Sequence, residues 1–464
     1  MKVLKTIFKA YDIRGIYKKE LTLESIDLIA RSLSDLYQKD NDIIVVGRDG
    51  RLSSEAISNT LIRGLLESGK KVIDIGQVPT PLLYFAVNYF KVNSGIIVTG
   101  SHNPKNYNGL KIIMDNHALA GEEIQNIYNK ILSKNLKKIN KNSEVGEEKI
   151  NIEKNYLEAI LKDIKINKKL KVAIDAGNGA AGPISLKIYK KLGLEVIDLY
   201  CDIDGNFPNH HPNPSEPKNL INLISSVKEN KCDIGVAFDG DGDRCLIIDN
   251  LGNILWPDRQ MMLYSKNILS KNANEKIVFD VKSSKDLPIY IKEYGGIAVM
   301  SRTGHSYIKM KMKEINAILG GEMSGHIFFK DRWFGFDDGI YASLRMLEII
   351  SNENKKSSEI FDELPSSYST PEINIKVDKD GNQHEFMKKF CSKVNFDGAE
   401  ISKIDGLRAD FKNGWGLVRA SNTTPCLVMR FEANTEEELK EIQDKFISEI
   451  LNIDSTLEIP NGEK

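Results

Sequence analysis

Cysteine is scarce in this chain, and the little there is follows no pairing pattern. Cys201, Cys232, Cys245, Cys391 and Cys426 are scattered and odd in number. No C-x-x-C pair occurs, which argues against a disulfide framework or a zinc ribbon and fits reduced thiols in the cytoplasm. Long apolar runs are missing too. Stretches such as Ile43 to Val46 are far too short to span a bilayer, and Met1 to Ala10 carries lysines without the apolar segment of a signal peptide. Net charge is also lacking: 64 Lys+Arg against 65 Asp+Glu leaves −1. No global field therefore points to nucleic acid or an anionic membrane, and any positive patch has to be local. Of the seven histidines, His117, His210, His211 and His384 have no chemical context and read as structural or surface residues.

What is present is enough for several hydrophobic cores. At 464 residues the chain exceeds what one core supports, and three or four domains are expected. Ile43 to Val46, Lys71 to Ile75, Gly95 to Thr99 and Leu110 to Met114 read as strands. Ile26, Ile29, Ala30, Leu33, Leu36 and Tyr37 fall at helical spacing behind Thr22, and Ser54 to Ser68 supplies another helix. The pattern restarts at Lys171 to Asp175 and again at Ile277 to Asp280. From Pro365 to Pro371 the composition turns linker-like, and a smaller α+β unit follows, with a strand at Cys426 to Phe431 and a charged helix from Thr435. The expected units are 1–148, 149–252 and 253–366, all α/β, then 367–464, α+β.

Four loops carry chemistry. Thr99 to Pro104 follows a buried strand and places Ser101 on a turn, where a phosphorylated hydroxyl would be a good phosphoryl donor. A capped polar turn explains the hexapeptide equally well. Asp239-Gly240-Asp241-Gly242-Asp243-Arg244 sets three carboxylates on alternate residues, which repel unless a cation sits among them. Oxygen ligands without His or Cys point to Mg²⁺ or Ca²⁺. An EF-hand needs Gly and Glu where Arg244 and Asn250 stand, so the calcium loop fails. In Gly320 to His326, Glu322 and Ser324 can take vicinal hydroxyls. In Arg419 to Pro425, one guanidinium with hydroxyl and amide donors makes a phosphate cradle, or a well-capped turn.

Taken together and in this order, these loops resemble the α-D-phosphohexomutase family, most closely its bacterial phosphomannomutase/phosphoglucomutase branch. The likeness runs from Phe8-Lys9-Ala10-Tyr11-Asp12-Ile13-Arg14-Gly15 to Arg430-Phe431-Glu432, with support from Asn206 to Pro212 and Arg332 to Gly339. It implies three similar α/β domains of the phosphoglucomutase type plus a C-terminal TATA-binding-protein-like α+β domain around a central cleft. It also implies a reaction: phosphoserine converts a hexose 1-phosphate into a bound 1,6-bisphosphate, which turns around and returns its other phosphate to the serine. On this resemblance Ser101 carries the phosphoryl group and, with Asp239, Asp241 and Asp243, holds one Mg²⁺; glucose 1,6-bisphosphate or an equivalent is the activator.

The resemblance gives the remaining residues roles as well. Arg419, Ser421, Asn422 and Thr423 grip the non-reacting phosphate, and Glu322 and Ser324 take the sugar hydroxyls. Tyr11, Arg244, Lys282 and His305 match substrate-contact positions, and His102, beside the serine, counts with them. Lys111 is the first candidate for the base near Ser101, with His326 and Arg14 as alternatives. Gly100 stands where many relatives carry alanine. Met323 resembles the mannose/glucose branch, where glucosamine enzymes carry Gln. A phosphoglucosamine mutase is therefore the rival within the family; a catalytically silent sugar-phosphate binder and a phosphatase are the rivals outside it. Hexose phosphates are the expected partners of a monomer or weak homodimer, without nucleic acid or membrane.

Overall fold

The computed structural model describes residues 3–37, 43–137, 146–378, 381–421 and 424–460. Local chemistry sets its elements. The helix Leu23–Leu36 starts at Thr22, whose hydroxyl accepts the Ser25 amide while the Ser25 hydroxyl accepts the Thr22 amide. This reciprocal cap satisfies two otherwise orphaned donors. The apolar strands Ile43–Arg48, Lys171–Asp175, Ile234–Phe238 and Lys276–Asp280 lie between layers and are buried almost throughout.

The strands form four sheets, and the first three share one plan. In the first, Ser94–Val98 and Lys71–Gln77 flank Ile43–Arg48 in parallel, and Tyr107–Met114 returns antiparallel beside Ser94–Val98. In the second, Ile234–Phe238 and Glu195–Leu199 flank Lys171–Asp175, and Cys245–Asp249 returns beside Ile234–Phe238. In the third, Leu319–Gly321 and Ile297–Ser301 flank Lys276–Asp280, and Ile327–Phe329 returns beside Leu319–Gly321. Each repeat thus has parallel strands closed by one antiparallel return, and residues 99–106, 239–244 and 322–326 are the three connections into those returns. The fourth sheet is antiparallel throughout, with the turn after Ala420 joining Gly414–Ala420 to Cys426–Ala433. Helices Asn382–Lys393 and Glu436–Ile453 share its core. Among the described residues no helix is long and apolar enough to cross a membrane, and the five cysteines form no disulfide.

One apolar core runs through the first three units. It takes in Leu83 and Phe85 of the helix Thr80–Tyr89, Ile174 and Phe238 of the second sheet, and Leu319 and Tyr341 of the third unit. The fourth unit docks mainly through polar contacts. Arg408 is 1% exposed and donates through Nη1 to the carbonyls of Val281 (2.6 Å) and Ser283 (2.7 Å). Its guanidinium lies 3.9 Å from the ring centroid of Trp415. The Ser284 hydroxyl donates to Glu432 at 2.8 Å.

A strap leaves the second sheet near Cys201 and crosses toward the first unit. Asn178 and Asn209 pair at 2.7 Å beneath it, and His210 anchors it on Asp175. The two ring nitrogens of His210 face only acceptors: Nε2 the Asp175 carboxylate at 3.0 Å, Nδ1 the His211 carbonyl at 2.9 Å. Acceptors on both sides favour the charged ring. Burial pushes its pKa down, but Asp175 outweighs burial and leaves it raised.

Two stability measurements check this account. Arg408→Ala leaves two buried carbonyls unpaired and should cost about 3 kcal/mol. Thermal unfolding will read that loss, and faster proteolysis at the linker Pro365 to Pro371 will place it between the third and fourth units. For His210 the raised folded pKa means stability fully present below about pH 6.5 and lost as pH rises through the folded value. The difference in thermal midpoint between the parent chain and His210→Asn should therefore shrink from about pH 6 to about pH 9. A gap that widened would mean a neutral ring.

Candidate active site

The first two return connections meet at Ser101, and the third joins the second through Arg244 and His326. Its backbone adopts φ +47°, the left-handed region, and it is 2% exposed. The Ser101 amide donates to Thr99 Oγ1 at 2.9 Å, and the hydroxyl donates to Asp239 Oδ2 at 3.0 Å while His102 Nδ1 lies 3.1 Å away. The approach depends on glycine: a β-carbon on Gly240 would fall 2.4 Å from the Ser101 carbonyl oxygen, and Gly242 takes φ +73° to reverse the loop.

Asp239, Asp241 and Asp243 are fully buried, with one oxygen of each within 4.8 Å of the others. Asp241 Oδ1 and Asp243 Oδ1 have no hydrogen-bond partner. Burial, then repulsion from Asp241 and Asp243, pushes the Asp239 pKa well up. For Asp241 burial acts the same way, but Lys111 and the Thr80 hydroxyl (2.6 Å) outweigh it and hold the carboxyl well below the usual range. Orphaned carboxylate oxygens, buried and converging, are what a hard divalent cation needs.

Lys111 on Tyr107–Met114 donates to Asp241 at 2.7 Å and to Asp243. Burial opposes its charge, yet the two carboxylates prevail and push its pKa upward. Two carboxylates thus hold Lys111 on the strand that follows the Ser101 loop and favour its charged form. Arg14 pairs with Asp12, which likewise favours its charged form.

His326 is placed differently. Its Nε2 accepts from Arg244 Nε at 2.9 Å, and its Nδ1 faces Asp337 Oδ2 at 3.1 Å. Nε2 thus acts as an acceptor toward Arg244, while Nδ1 and Asp337 Oδ2 lie close without forming an aligned hydrogen bond. Asp337 also accepts from Lys309 at 2.8 Å and lies 3.7 Å from His305 Nδ1. Burial, aided by Lys309, keeps His305 well below the ordinary histidine range. Burial also drives His102 down, with Arg244 and Arg14 adding to it.

The sugar-loop residues adjoin this centre. Glu322 accepts the Gly304 amide, and burial raises its pKa. Tyr11 sets its ring edge-on to His305 at 5.1 Å; burial, then Asp12 and Glu322, pushes its hydroxyl up to about 12, with Arg244 and Arg419 acting in the opposite sense. Ser324 is half-buried, and its carbonyl accepts from Ser215 of the strap at 3.4 Å. Arg419 donates to Asp405 at 3.0 Å, and the same oxygen accepts the Thr303 amide at 3.0 Å, which ties the fourth unit to the loop before His305. Lys282 is paired with Glu372 at 2.6 Å, and Ser421 bonds Thr424 at 2.8 Å. Asn422 and Thr423 lie outside the described residues.

Several functional neighbours escape a reading of the sequence. Asp49 and Arg51 hold the Ser101 loop, Asp337 backs His326, and Thr80 and Thr99 both donate to Asp241. The signal available for the first pair was Gly47-Arg48-Asp49-Gly50-Arg51, a charged glycine loop after an apolar strand. Gly100 also acquires a reason: a methyl there would lie 2.3 Å from Arg51 Nε, so in this chain the glycine and the guanidinium go together.

Comparison with known proteins identifies the four units. The family models for phosphoglucomutase/phosphomannomutase α/β/α domains I, II and III match residues 5–138, 154–252 and 256–368, and the model for the C-terminal domain matches 372–449. A phosphomannomutase/phosphoglucomutase of Pseudomonas aeruginosa is 48% identical over 457 residues, covering 98% of this chain and 97% of that protein. A phosphoglucomutase of Neisseria meningitidis is 48% identical over 446 residues, 96% of each. The crystal structure of a phosphoglucomutase/phosphomannomutase family protein from Burkholderia thailandensis superimposes with a TM-score of 0.93 at 41% identity, over 99% of this chain and 100% of that one. With all four domains matched in order and the relatives aligned nearly end to end, this chain belongs to the phosphoglucomutase/phosphomannomutase family.

Proposed function

We propose that the chain interconverts hexose 1-phosphate and hexose 6-phosphate, of mannose and glucose, through a phosphorylated Ser101 and a bound 1,6-bisphosphate. The observation that carries this reading is the meeting of Ser101 with three buried aspartates that converge on its hydroxyl side. Asp239, Asp241 and Asp243 would hold one Mg²⁺, which supplies positive charge opposite the phosphoryl oxygens. Lys111, Arg14 and Arg244 bring positive charge around the same group. For the proton of the attacking hydroxyl the first proposed group is Lys111, on the strand that follows the Ser101 loop, with His326, whose Nε2 accepts from Arg244 here, and Arg14 as alternatives.

Arg419, Ser421, Asn422 and Thr423 are the proposed grip on the non-reacting phosphate, with Lys282 close to Arg419 through Glu372. Tyr11, His102, His305, Glu322 and Ser324 face the sugar. The proposed units are 1–148, 149–252, 253–366 and 367–464, in a cytoplasmic monomer or weak homodimer with glucose 1,6-bisphosphate as activator. A phosphatase needs water at the phosphoserine, and Ser101 at 2% exposure speaks against that route. A silent binder predicts loss of Ser101 or of a metal aspartate, and all are in place. Met323 in the sugar loop favours mannose and glucose over glucosamine.

A coupled assay with Mg²⁺ and trace glucose 1,6-bisphosphate should turn over mannose 1-phosphate and glucose 1-phosphate comparably, with little activity on glucosamine 1-phosphate and no steady release of inorganic phosphate. Ser101→Ala should keep the thermal midpoint and lose turnover by about four orders of magnitude or more; equal activity would remove phosphoserine from the scheme. Titrating Mg²⁺ onto the parent chain should stabilise it by about 2.7 kcal/mol at ~100 times Kd, and Asp241→Asn should abolish most of that increment. An unchanged increment would put the ion elsewhere.

A further inference from the structure

The left-handed backbone of Ser101 is costly for a residue with a β-carbon, and such a conformation persists only where its surroundings enforce it. Much of that enforcement comes from one side chain in the first unit. Arg51 is 3% exposed, and its Nη2 donates to the carbonyls of Ser101 at 2.7 Å and Asn103 at 2.6 Å. Its Nη1 donates to the carbonyls of Pro104 at 2.7 Å and Tyr107 at 3.1 Å. On the other edge Nε lies 3.3 Å from Asp49 Oδ2, and that oxygen accepts the Gly100 amide at 3.0 Å. Asp49 Oδ1 closes the unit by accepting the Arg51 amide at 3.0 Å. The loop is thus held by its N–H through a carboxylate and by its carbonyls through a guanidinium.

The outer face of the guanidinium is covered from the second unit. The ring centroid of Phe207, on the strap, lies 5.0 Å from Arg51 Cζ. The strap lies flat there, because a β-carbon on Gly205 would fall 2.6 Å from the Leu52 amide nitrogen and 2.7 Å from the Gly50 carbonyl oxygen. Covered in this way, the guanidinium has little water to compete for its donors, and its hydrogen bonds strengthen accordingly. Further along, the Pro212 carbonyl accepts the Gly240 amide at 3.2 Å, so the strap that covers the clamp also touches the metal loop.

We propose that Arg51 is a positioning residue for phosphoryl transfer: it fixes Ser101 in the left-handed conformation that turns Oγ toward Asp239, and Phe207 keeps it seated. The inference rests on the reading of Ser101 as the phosphoryl carrier. Lysine does not substitute, since three donors on one nitrogen do not span four carbonyls as a planar fork does.

The test uses the full chain, as parent, Arg51→Lys and Phe207→Leu. Each is incubated with glucose 1,6-bisphosphate and Mg²⁺; incorporation at Ser101 is timed by peptide mass, and kcat and KM are measured for glucose 1-phosphate. The parent should take one phosphoryl group at Ser101, and failure there would overturn both the reading of Ser101 and this inference. In Arg51→Lys, kcat and the labelling rate should fall together by about ten- to a hundredfold, with KM within about twofold of the parent. Phe207→Leu should show the same pattern at about two- to fivefold. Parent-like labelling and kcat in a folded Arg51→Lys would reduce Arg51 to a structural role and overturn the inference, and so would a loss confined to KM. If Arg51→Lys does not fold, Phe207→Leu decides alone: unchanged labelling overturns the proposal, and slowed labelling at constant KM supports it.

Discussion

The arrangement of this protein depends on a concentration of negative charge that one unit cannot balance alone. Asp239, Asp241 and Asp243 sit fully buried on one short loop of the second unit, and three carboxylates in a dry setting repel one another strongly. The opposing charge and donors come largely from the first unit: Lys111, Thr80, Thr99 and Ser101. Docking of the units and assembly of the site are therefore one event. A first unit displaced from the second would leave the aspartates uncompensated, which gives the interface a reason to stay closed around this loop while the fourth unit joins through polar contacts at its edge.

The shared plan of the three sheets explains how loops from separate units can meet. Each connection leaves a buried parallel strand and turns straight into an antiparallel return, so it is short and tied down at both ends. Such tips hold a side chain far better than a long crossover loop. The left-handed residues that the tips require fall where chemistry is placed, at Ser101, Gly242 and Gly325.

Much of this was legible in the sequence because it is written locally. Apolar runs such as Ile234 to Phe238 announce buried strands, Thr22 and Thr435 announce helix starts, and three aspartates alternating with glycine announce a cation loop. What was not legible is set by residues far apart in the chain. The partners of Lys111 are carboxylates 130 and 132 positions away, which its place on the strand after the serine does not disclose. Arg51 acts on carbonyls about fifty positions downstream, and Asp337 comes to lie beside His326 from a segment whose sequence does not name that neighbour. Periodicity speaks to which face is buried; it says nothing about which charges will share that burial.

The ion pair of Lys111 with Asp241 and Asp243 gives the metal loop a second means of charge balance. A loop of three carboxylates that relied on a cation alone would spring apart whenever that cation left. Here an ammonium anchored on a neighbouring strand already occupies part of the same field. An ion entering this loop would meet oxygens already gathered rather than ones it must first collect. The corresponding cost is selectivity by strength: an ion must compete with a tethered positive charge, so only a small, doubly charged and strongly polarising one gains a firm seat.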